Sequence, residues 1–490
     1  MENYFKHFRQ QTIGNDLDFD TPNGTQKMIY ADWLASGRLY APIEEKIQNL
    51  FGPWVANTHT ETSESGTLTT KAYHYAQHII KKHVNTDADD VLITSGNGMT
   101  GVINKFQRIL GLKRYGTQQH PFNKMDMSEN KRPVVFITHM EHHSNQTSWE
   151  ETIADVVVLQ PDENMLVNEN ELRRKLIEYK DREIIIGSFT ACSNVTGVRT
   201  DQHNLARIMH ENNGLCFIDF AANAPYDSIN MHPQDKMERL DAIFFSPHKF
   251  LGGPGSSGVL IFNKELYTSN VPDNPGGGTV DWTNPWGEYK FIDNIEARED
   301  GGTPGFLQAI RVALAIQLKE KMGVENIRKR ENQLIERAFD GLKKIPKLHI
   351  LSEHVKNRLG VISFYVEDIH FNLIVKLLND RFGVQVRGGC ACAGTYGHFL
   401  LGVTQEKSKE ISNKINSGDL SEKPGWVRLS LHPTMTDAEL DKTIFGLSEL
   451  IANIDEWSKD YTYNPKTNEY KHLRELADKC ELVKPWFIFD

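Results

Sequence analysis

Two kinds of apolar pattern alternate through the middle of the chain. Short runs at 134–137, 183–189, 215–218, 242–245 and 259–262 are rich in Ile, Val and Phe and show no polar–apolar alternation. A strand buried on one face alone would alternate, so these runs suit strands covered on both faces, as in a mostly parallel α/β sheet. Between them lie stretches with helical spacing such as 204–212, which stops at Asn213-Gly214, a pair suited to the left-handed residue that ends a helix. The pattern predicts a large α/β domain.

Beyond about Pro346 the texture changes. Segments 360–366, 384–387 and 426–431 read as strands, and 372–381 and 436–454 as helices, the last opening on Thr436 with Glu439 three residues on, a capping box. A smaller α+β domain is expected there, made of 341–490 with a C-terminal extension and joined by 1–29, leaving 30–340 as the large domain. A helix over 306–321, continuing towards 342, is expected to bridge the two. The polar stretch 111–132 and the Tyr- and Asn-rich stretch 457–471 are expected at the surface. Tyr461, Tyr463, Tyr470, Trp486, Phe487 and Phe489 are expected to pack the terminal segment onto its own domain.

Composition narrows the function classes. With 490 residues, 39% hydrophobic and 24% charged, collagen-like, disordered and disulfide-scaffold proteins are set aside. Lys+Arg 55 against Asp+Glu 65, a net charge of −10 without a basic run, disfavours nucleic acid and anionic membranes and leaves a small molecule as the default partner. Five cysteines, an odd number in a long chain, fit a reducing compartment. The N-terminal segment lacks a secretory pattern and no apolar run approaches the roughly 20 residues that span a bilayer, so a cytoplasmic location is expected. Cys390-Ala391-Cys392 offers too few ligands for structural zinc, and no metal is expected.

Four places carry candidate chemistry. Ser246-Pro247-His248-Lys249 follows the run 242–245 and precedes Gly252-Gly253-Pro254-Gly255. A lysine at a strand end facing a cleft is desolvated, its pKa falls, and it can attack an aldehyde; a lone lysine is more often simply solvated. Asp219 ends the run 215–218, where open α/β sheets gather ligands, and could hold a ring nitrogen protonated or merely cap a turn. The run at 91–93 leads into Thr94-Ser95-Gly96-Asn97-Gly98-Met99-Thr100 and an apolar helix, a turn whose backbone N–H groups at Gly98 and Met99, with the Thr100 hydroxyl, suit a phosphate; the Walker lysine is absent. His142, in Met140-Glu141-His142-His143, could stack on a planar ring or be structural.

Taken in order, that glycine turn with Thr100, Glu141-His142-His143, Ser193-Asn194-Val195-Thr196-Gly197, Asp219 and Ser246-Pro247-His248-Lys249 resemble class V of the fold-type-I pyridoxal-phosphate enzymes, over about 30–454. Within it the chain is most similar to the cysteine desulfurase and selenocysteine lyase group. The resemblance implies an α/β fold with a mostly parallel, seven-stranded-type sheet flanked by helices and a smaller α+β C-terminal domain, with pyridoxal 5'-phosphate as cofactor. It implies that Lys249 is the Schiff-base lysine, that Asp219 pairs with the pyridine nitrogen, that His142 stacks on the ring and that Asn194 lies near the phenolic oxygen. Thr100, Ser246 and His248 would bind the phosphate. Thr303, in Gly301-Gly302-Thr303-Pro304, matches a position that reaches the phosphate of a neighbouring subunit, which implies a homodimer with shared active sites. Arg428 matches the clamp for a substrate carboxylate, with Arg387 a second candidate. One departure stands out: the group usually carries Gln three residues after the ring-nitrogen acid, where this chain has Ala222, then Asn223, so either Asn223 substitutes or that hydrogen bond is missing.

The segment Arg387-Gly388-Gly389-Cys390-Ala391-Cys392-Ala393-Gly394 bears on the reaction. Cys392 falls on the nucleophile position of the desulfurase subgroup with a short loop here, and Cys390 falls where that subgroup often has histidine. The expected activity is release of sulfur or selenium from an amino acid with formation of alanine, and a sulfur-acceptor protein is a further candidate partner. The alternatives are an aminotransferase or carbon–sulfur lyase that uses no cysteine nucleophile, and a non-catalytic binding protein on the same fold.

Overall fold

The computed structural model describes residues 1–58, 60–96, 98–113, 127–474 and 478–489. Its centre is a seven-stranded sheet of β1 (Asp90–Ser95), β2 (Val134–Ile137), β3 (Asp155–Val158), β4 (Ile185–Thr190), β5 (Leu215–Asp219), β6 (Ala242–Phe245) and β7 (Gly258–Asn263). They lie in the order β1–β7–β6–β5–β4–β2–β3. All run parallel except β7, which is antiparallel to both of its neighbours. Every residue of β2, β4 and β6 is buried, as the unbroken apolar runs require. The edge strand β3 is half-buried and opens on Asp155, which Arg132 and Arg182 grip, so its short run gave no comparable signal.

Parallel strands bring their C-terminal ends to one edge of the sheet, and that edge holds the chemistry. The apolar side chains pointing from the two faces form two clusters, one with Phe189, Ile218 and Ile243, the other with Val135, Phe217 and Phe244. Helices that flank the sheet include α1 (Glu64–His83), α2 (Gly98–Ile109) after β1, α3 (His143–Glu150) after β2, the helices Glu169–Glu178 and Gln202–Glu211, and α4 (Phe306–Met322), whereas α5 (Val324–Leu342) buries Leu334 and Phe339 in the apolar cluster of the second sheet. The expected single helix from 306 to 342 is two, because Gly323 at φ +77° interrupts the hydrogen-bond ladder between α4 and α5.

A second, antiparallel sheet contains β8 (Leu348–Ile350), β9 (Val361–Val366), β10 (Arg387–Gly389) and β11 (Trp426–Ser430) in the order β8–β9–β11–β10. Helices α6 (Phe371–Phe382) and α7 (Asp437–Ala452) pack with it. Both bonds of the capping box at Thr436 and Glu439 form. Phe5, Phe8, Ile29 and Trp33 share one apolar cluster with Leu377, Val427 and Leu447, which ties the N-terminal residues to this sheet. The expected strand 384–387 is divided: Val384–Gln385 pairs with Ile29–Tyr30, and β10 joins β11.

The tail behaves in two ways. Tyr461–Asn464 and Glu469–His472 form a hairpin, with Tyr461 buried on Asp380 and Tyr463 against Tyr470. Trp486, Phe487 and Phe489 instead are exposed, contrary to expectation, on and just after the short helical segments Lys479–Val483 and Lys484–Phe487, which bury no residue. Of the stretch 111–132, residues 114–126 lie outside the described residues, as does Asn97 of the glycine turn. Among the described residues no helix is long and apolar enough to cross a membrane.

The start of β7 passes so close to the glycine turn that a Cβ on Gly258 would lie 2.2 Å from the Gly98 carbonyl oxygen. Gly258→Ala should therefore lower stability by about 1–3 kcal/mol, read as a shifted denaturant midpoint; an unchanged midpoint would contradict this packing.

Candidate active site

At the C-terminal edge of the large sheet a cavity of about 190 Å³ is lined by Met99, Thr100, His142, Asp219, Lys249 and Arg428, among others. Asp219 is the last residue of β5, buried, with its Oδ1 accepting the Ala221 N–H at 2.8 Å. Burial raises its pKa to about 6, against the opposing Ala221 N–H and the Lys249 charge, so it is ionised at neutral pH. Lys249 closes the short turn Pro247–Lys249 after β6. Burial lowers its pKa to about 8, with the Asp219 carboxylate pulling the other way and Arg428 and Arg387 adding to the fall. Among the described residues no ion pair joins Asp219 to Lys249, although each feels the other's charge. The turn is pinned from the N-terminal segment, where the Gly37 N–H donates to the His248 carbonyl at 2.8 Å. A Cβ on Gly37 would lie 1.9 Å from the Phe250 carbonyl oxygen, so the close approach needs glycine.

His142 caps α3, its Nδ1 accepting the Ser144 N–H at 3.1 Å. Burial first, then the Lys249 charge, lower its pKa to about 3, which leaves a neutral ring in the cavity wall. Beneath it the buried Glu141 carboxylate accepts from the Thr138 hydroxyl (2.7 Å), the Thr190 N–H (2.8 Å) and the Asn145 amide (2.7 Å), tying the end of β2 to the end of β4. Spacing gave Glu141 no role because one of its partners, Thr190, comes from a strand 49 positions away.

The glycine turn and the Lys249 turn meet as a cradle. Ser246 Oγ accepts the Met99 N–H at 2.8 Å, Thr100 Oγ1 lies 2.6 Å from Ser144 Oγ, and a Cβ on Gly98 would lie 3.0 Å from Ser246 Oγ and 3.4 Å from the His248 ring. Gly98, Met99, Thr100, Ser246 and His248 are thus together at the N-terminus of α2, the positive end of that helix. Burial lowers the His248 pKa to about 4, so the cradle offers hydroxyls, backbone N–H groups and a neutral imidazole. Asn194 lines the same cavity with its Oδ1 buried and without a protein partner, while its amide nitrogen donates to the Ala391 carbonyl at 2.6 Å. This donor set, a phosphate-sized cradle beside a buried acid and a half-buried amine that do not touch, fits pyridoxal phosphate.

Arg428 of β11 is buried, donating to Asp32 Oδ1 at 2.8 Å and to the Asn194 carbonyl at 3.2 Å, and its Nε has no protein partner. Its register partner across the sheet is Arg387, whose Nε lies 3.6 Å from Asp32 Oδ2. Facing guanidinium groups repel, and Asp32 between them offsets that repulsion. Sequence reasoning missed Asp32; its partner Arg428 is 396 positions away, so no local spacing could signal it.

Cys392 is exposed and lines a larger outer groove of about 1490 Å³ together with Cys390, while Ala391 and Arg387 line both groove and cavity. The Cys392 loop therefore forms the rim between them. Ala391 and Cys392 both have left-handed backbones, φ +50° and +57°, a conformation that costs non-glycine residues roughly 1–2 kcal/mol each. Lys249 and Arg428 both feel the charge of Cys392. Cys390 is half-buried against the cluster containing Tyr396 and Trp426. Two expected residues are not brought to the cavity. Ala222 lines it, whereas the Asn223 amide donates to Asp227 at 3.3 Å, since Asp227 is anchored by Arg199 outside the cavity. Thr303 lines a separate cavity of about 530 Å³ with Ser95, Ser256 and Gln308.

In the cofactor-free protein, Lys249 should react with an added aldehyde with a midpoint near pH 8, and Asp219→Asn should move that midpoint down, because the Asp219 carboxylate raises it. Borohydride trapping followed by peptide mass measurement across pH reads this; a midpoint at the ordinary lysine value in both proteins would contradict it.

Residues 29–443 match the model of the family Aminotransferase class-V. A probable cysteine desulfurase of Pyrococcus abyssi is 26% identical over 381 residues, 78% of this chain and 88% of the relative. One from Halalkalibacterium halodurans is 27% identical over 378 residues, 75% of this chain and 84% of the relative. The structure of an apo cysteine desulfurase from Thermococcus onnurineus superposes with a TM-score of 0.72 at 21% identity, covering 91% of this chain and 98% of that one, which shows the shared fold. With the family matched over most of its length, the chain belongs to the class-V aminotransferase family and is a pyridoxal-phosphate-dependent enzyme.

Proposed function

We propose that the protein is a cysteine desulfurase that removes sulfur from cysteine and leaves alanine, the alternative within the same group being a selenocysteine lyase that releases selenium. The observation that carries the reading is the exposed Cys392 at the rim of a cavity lined by the half-buried Lys249 and the buried Asp219 and Arg428. The relatives described as probable cysteine desulfurases support it.

Pyridoxal phosphate, when bound, supplies an aldehyde and an electron-withdrawing ring that labilise bonds around an amino acid's α-carbon. Met99, Thr100, Ser246 and His248 are the residues to hold its phosphate, His142 and Asp219 its ring, and Lys249 its aldehyde. Arg428, with Arg387 beside it, orients the substrate carboxylate; the incoming carboxylate competes with Asp32 for the paired guanidiniums. The lowered pKa of Lys249 lets its Nζ exist in part as free amine near neutral pH, take a proton from the substrate's α-carbon and return one to that carbon as alanine forms. The Cys392 thiolate attacks the substrate sulfur: a sulfur–sulfur bond forms, the sulfur's bond to the substrate β-carbon breaks, and that bond's electron pair stays with the carbon, which takes up a proton to give alanine. The product on the enzyme is a persulfide facing the outer groove, where a sulfur-acceptor protein is the proposed recipient.

A homodimer is part of the proposal. The segment around Thr303 adjoins an apolar groove lined by Leu50, Trp54, Val55, Phe306 and Leu307, and Leu50, Trp54 and Val55 are about half exposed. Such a patch supports burial against a second copy whose active site Thr303 would complete. We propose a domain division at 30–340 against 1–29 with 341–490; the separate second sheet and the cluster that joins Phe5 and Ile29 to it support this, and the same cluster takes in Trp33 and Leu334 from the large segment. Five free cysteines support a reducing, cytoplasmic setting.

Cys392→Ala should abolish alanine formation from cysteine and remove the persulfide found by alkylation and mass measurement, while cofactor absorbance persists; full turnover would contradict the reading. Lys249→Ala should still bind the cofactor through the cradle and lose all turnover, whereas retained activity would remove Lys249 from its role.

A further inference from the structure

Helix α3 holds the Cys392 loop at three points beyond the cavity itself. The backbone N–H of His143, first in the helix and without an intrahelical partner, donates to the Cys392 carbonyl at 2.7 Å. The His143 ring accepts the Gly394 N–H on Nε2 at 2.9 Å. One turn on, Gln146 Oε1 accepts from the Thr395 hydroxyl at 2.8 Å. From the opposite side Asn194 grips the Ala391 carbonyl at 2.6 Å. Between these anchors lie the two left-handed residues Ala391 and Cys392, a conformation that persists only where the surroundings hold it. Gly394 lets the ring close in, since a Cβ there would lie 3.1 Å from His143 Nε2.

We infer that His143 is a positioning residue, whose ring Nε2, by accepting the Gly394 N–H, latches the loop that presents Cys392 at the cavity rim. Its consequence for turnover rests on the desulfurase reading; the latch itself does not. Only an unprotonated Nε2 accepts at this position. Burial, with the charge of Lys423 and against that of Glu150, lowers the His143 pKa, and the adjoining His142 ring is neutral, so the acceptor form prevails at neutral pH. His142 and His143, adjacent in sequence, divide the work: one ring faces the cavity and the other ties down the thiol loop.

The test compares His143→Leu, which keeps bulk and removes the acceptor, with His143→Gln, which restores one, both loaded with pyridoxal phosphate. In the Leu variant amide exchange across 390–396 should quicken about tenfold, and kcat for alanine release from cysteine should fall about tenfold or more with KM unchanged and cofactor absorbance retained, as a displaced reacting group predicts. The Gln variant should stay within about threefold of the original protein in both. Unchanged exchange in the Leu variant, or faster exchange with unchanged kcat, would overturn the proposal. Exchange needs no turnover, so a protein that releases no alanine at all would sink the desulfurase reading while the latch is still judged. Should His143→Leu not fold, His143→Asn, too short to reach Gly394, carries the same expectations.

Discussion

A buried carboxylate and a half-buried amine face one small cavity without meeting. Asp219 ends β5 and Lys249 closes the short turn that follows the neighbouring strand β6, so the two line one cavity from separate elements. Burial pushes the acid's pKa up to about 6 and the amine's down to about 8, and the mutual attraction of the charges limits both shifts. The sheet thus maintains an acid that is ionised and an amine that is partly free over the same pH range, the pairing that pyridoxal-phosphate chemistry requires.

The remaining architecture serves that gap. The glycine turn at the start of α2 lies against Ser246 and His248 and against the start of β7, and the N-terminal segment lies against Phe250, so closely that Gly258 and Gly37 have no room for a side chain and Gly98 has little. The second sheet brings Arg428 and Arg387 over the cavity, and the N-terminal segment supplies Asp32, which keeps the two guanidiniums from repelling each other. The Cys392 loop completes the rim under backbone strain, gripped by Asn194 from one side and by α3 from the other.

Much of this was legible in the chain because its signals are local. Unbroken apolar runs reported the doubly covered strands β2, β4, β5, β6 and β7; the ends of β5 and β6 then located Asp219 and Lys249; and Thr436 with Glu439 marked the start of α7. What escaped is non-local or depends on a single backbone angle. Asp32 finds its arginine across the whole chain, Glu141 joins two strands, and Gly323 breaks a helix whose apolar pattern runs on unbroken through 306–342. The Asn223 side chain turned to Asp227 instead of the cavity, a choice made by Arg199, which anchors Asp227. The aromatic tail at 486–489 shows that composition alone does not say whether a side chain finds a surface to cover.

The account stands on Lys249 being the amine that engages the cofactor's aldehyde. Reconstituting the protein with pyridoxal phosphate, reducing with borohydride and mapping the modified peptide tests this most directly. The account predicts a single pyridoxyl adduct on Lys249; an unmodified Lys249, with the adduct on another lysine or absent, would contradict it.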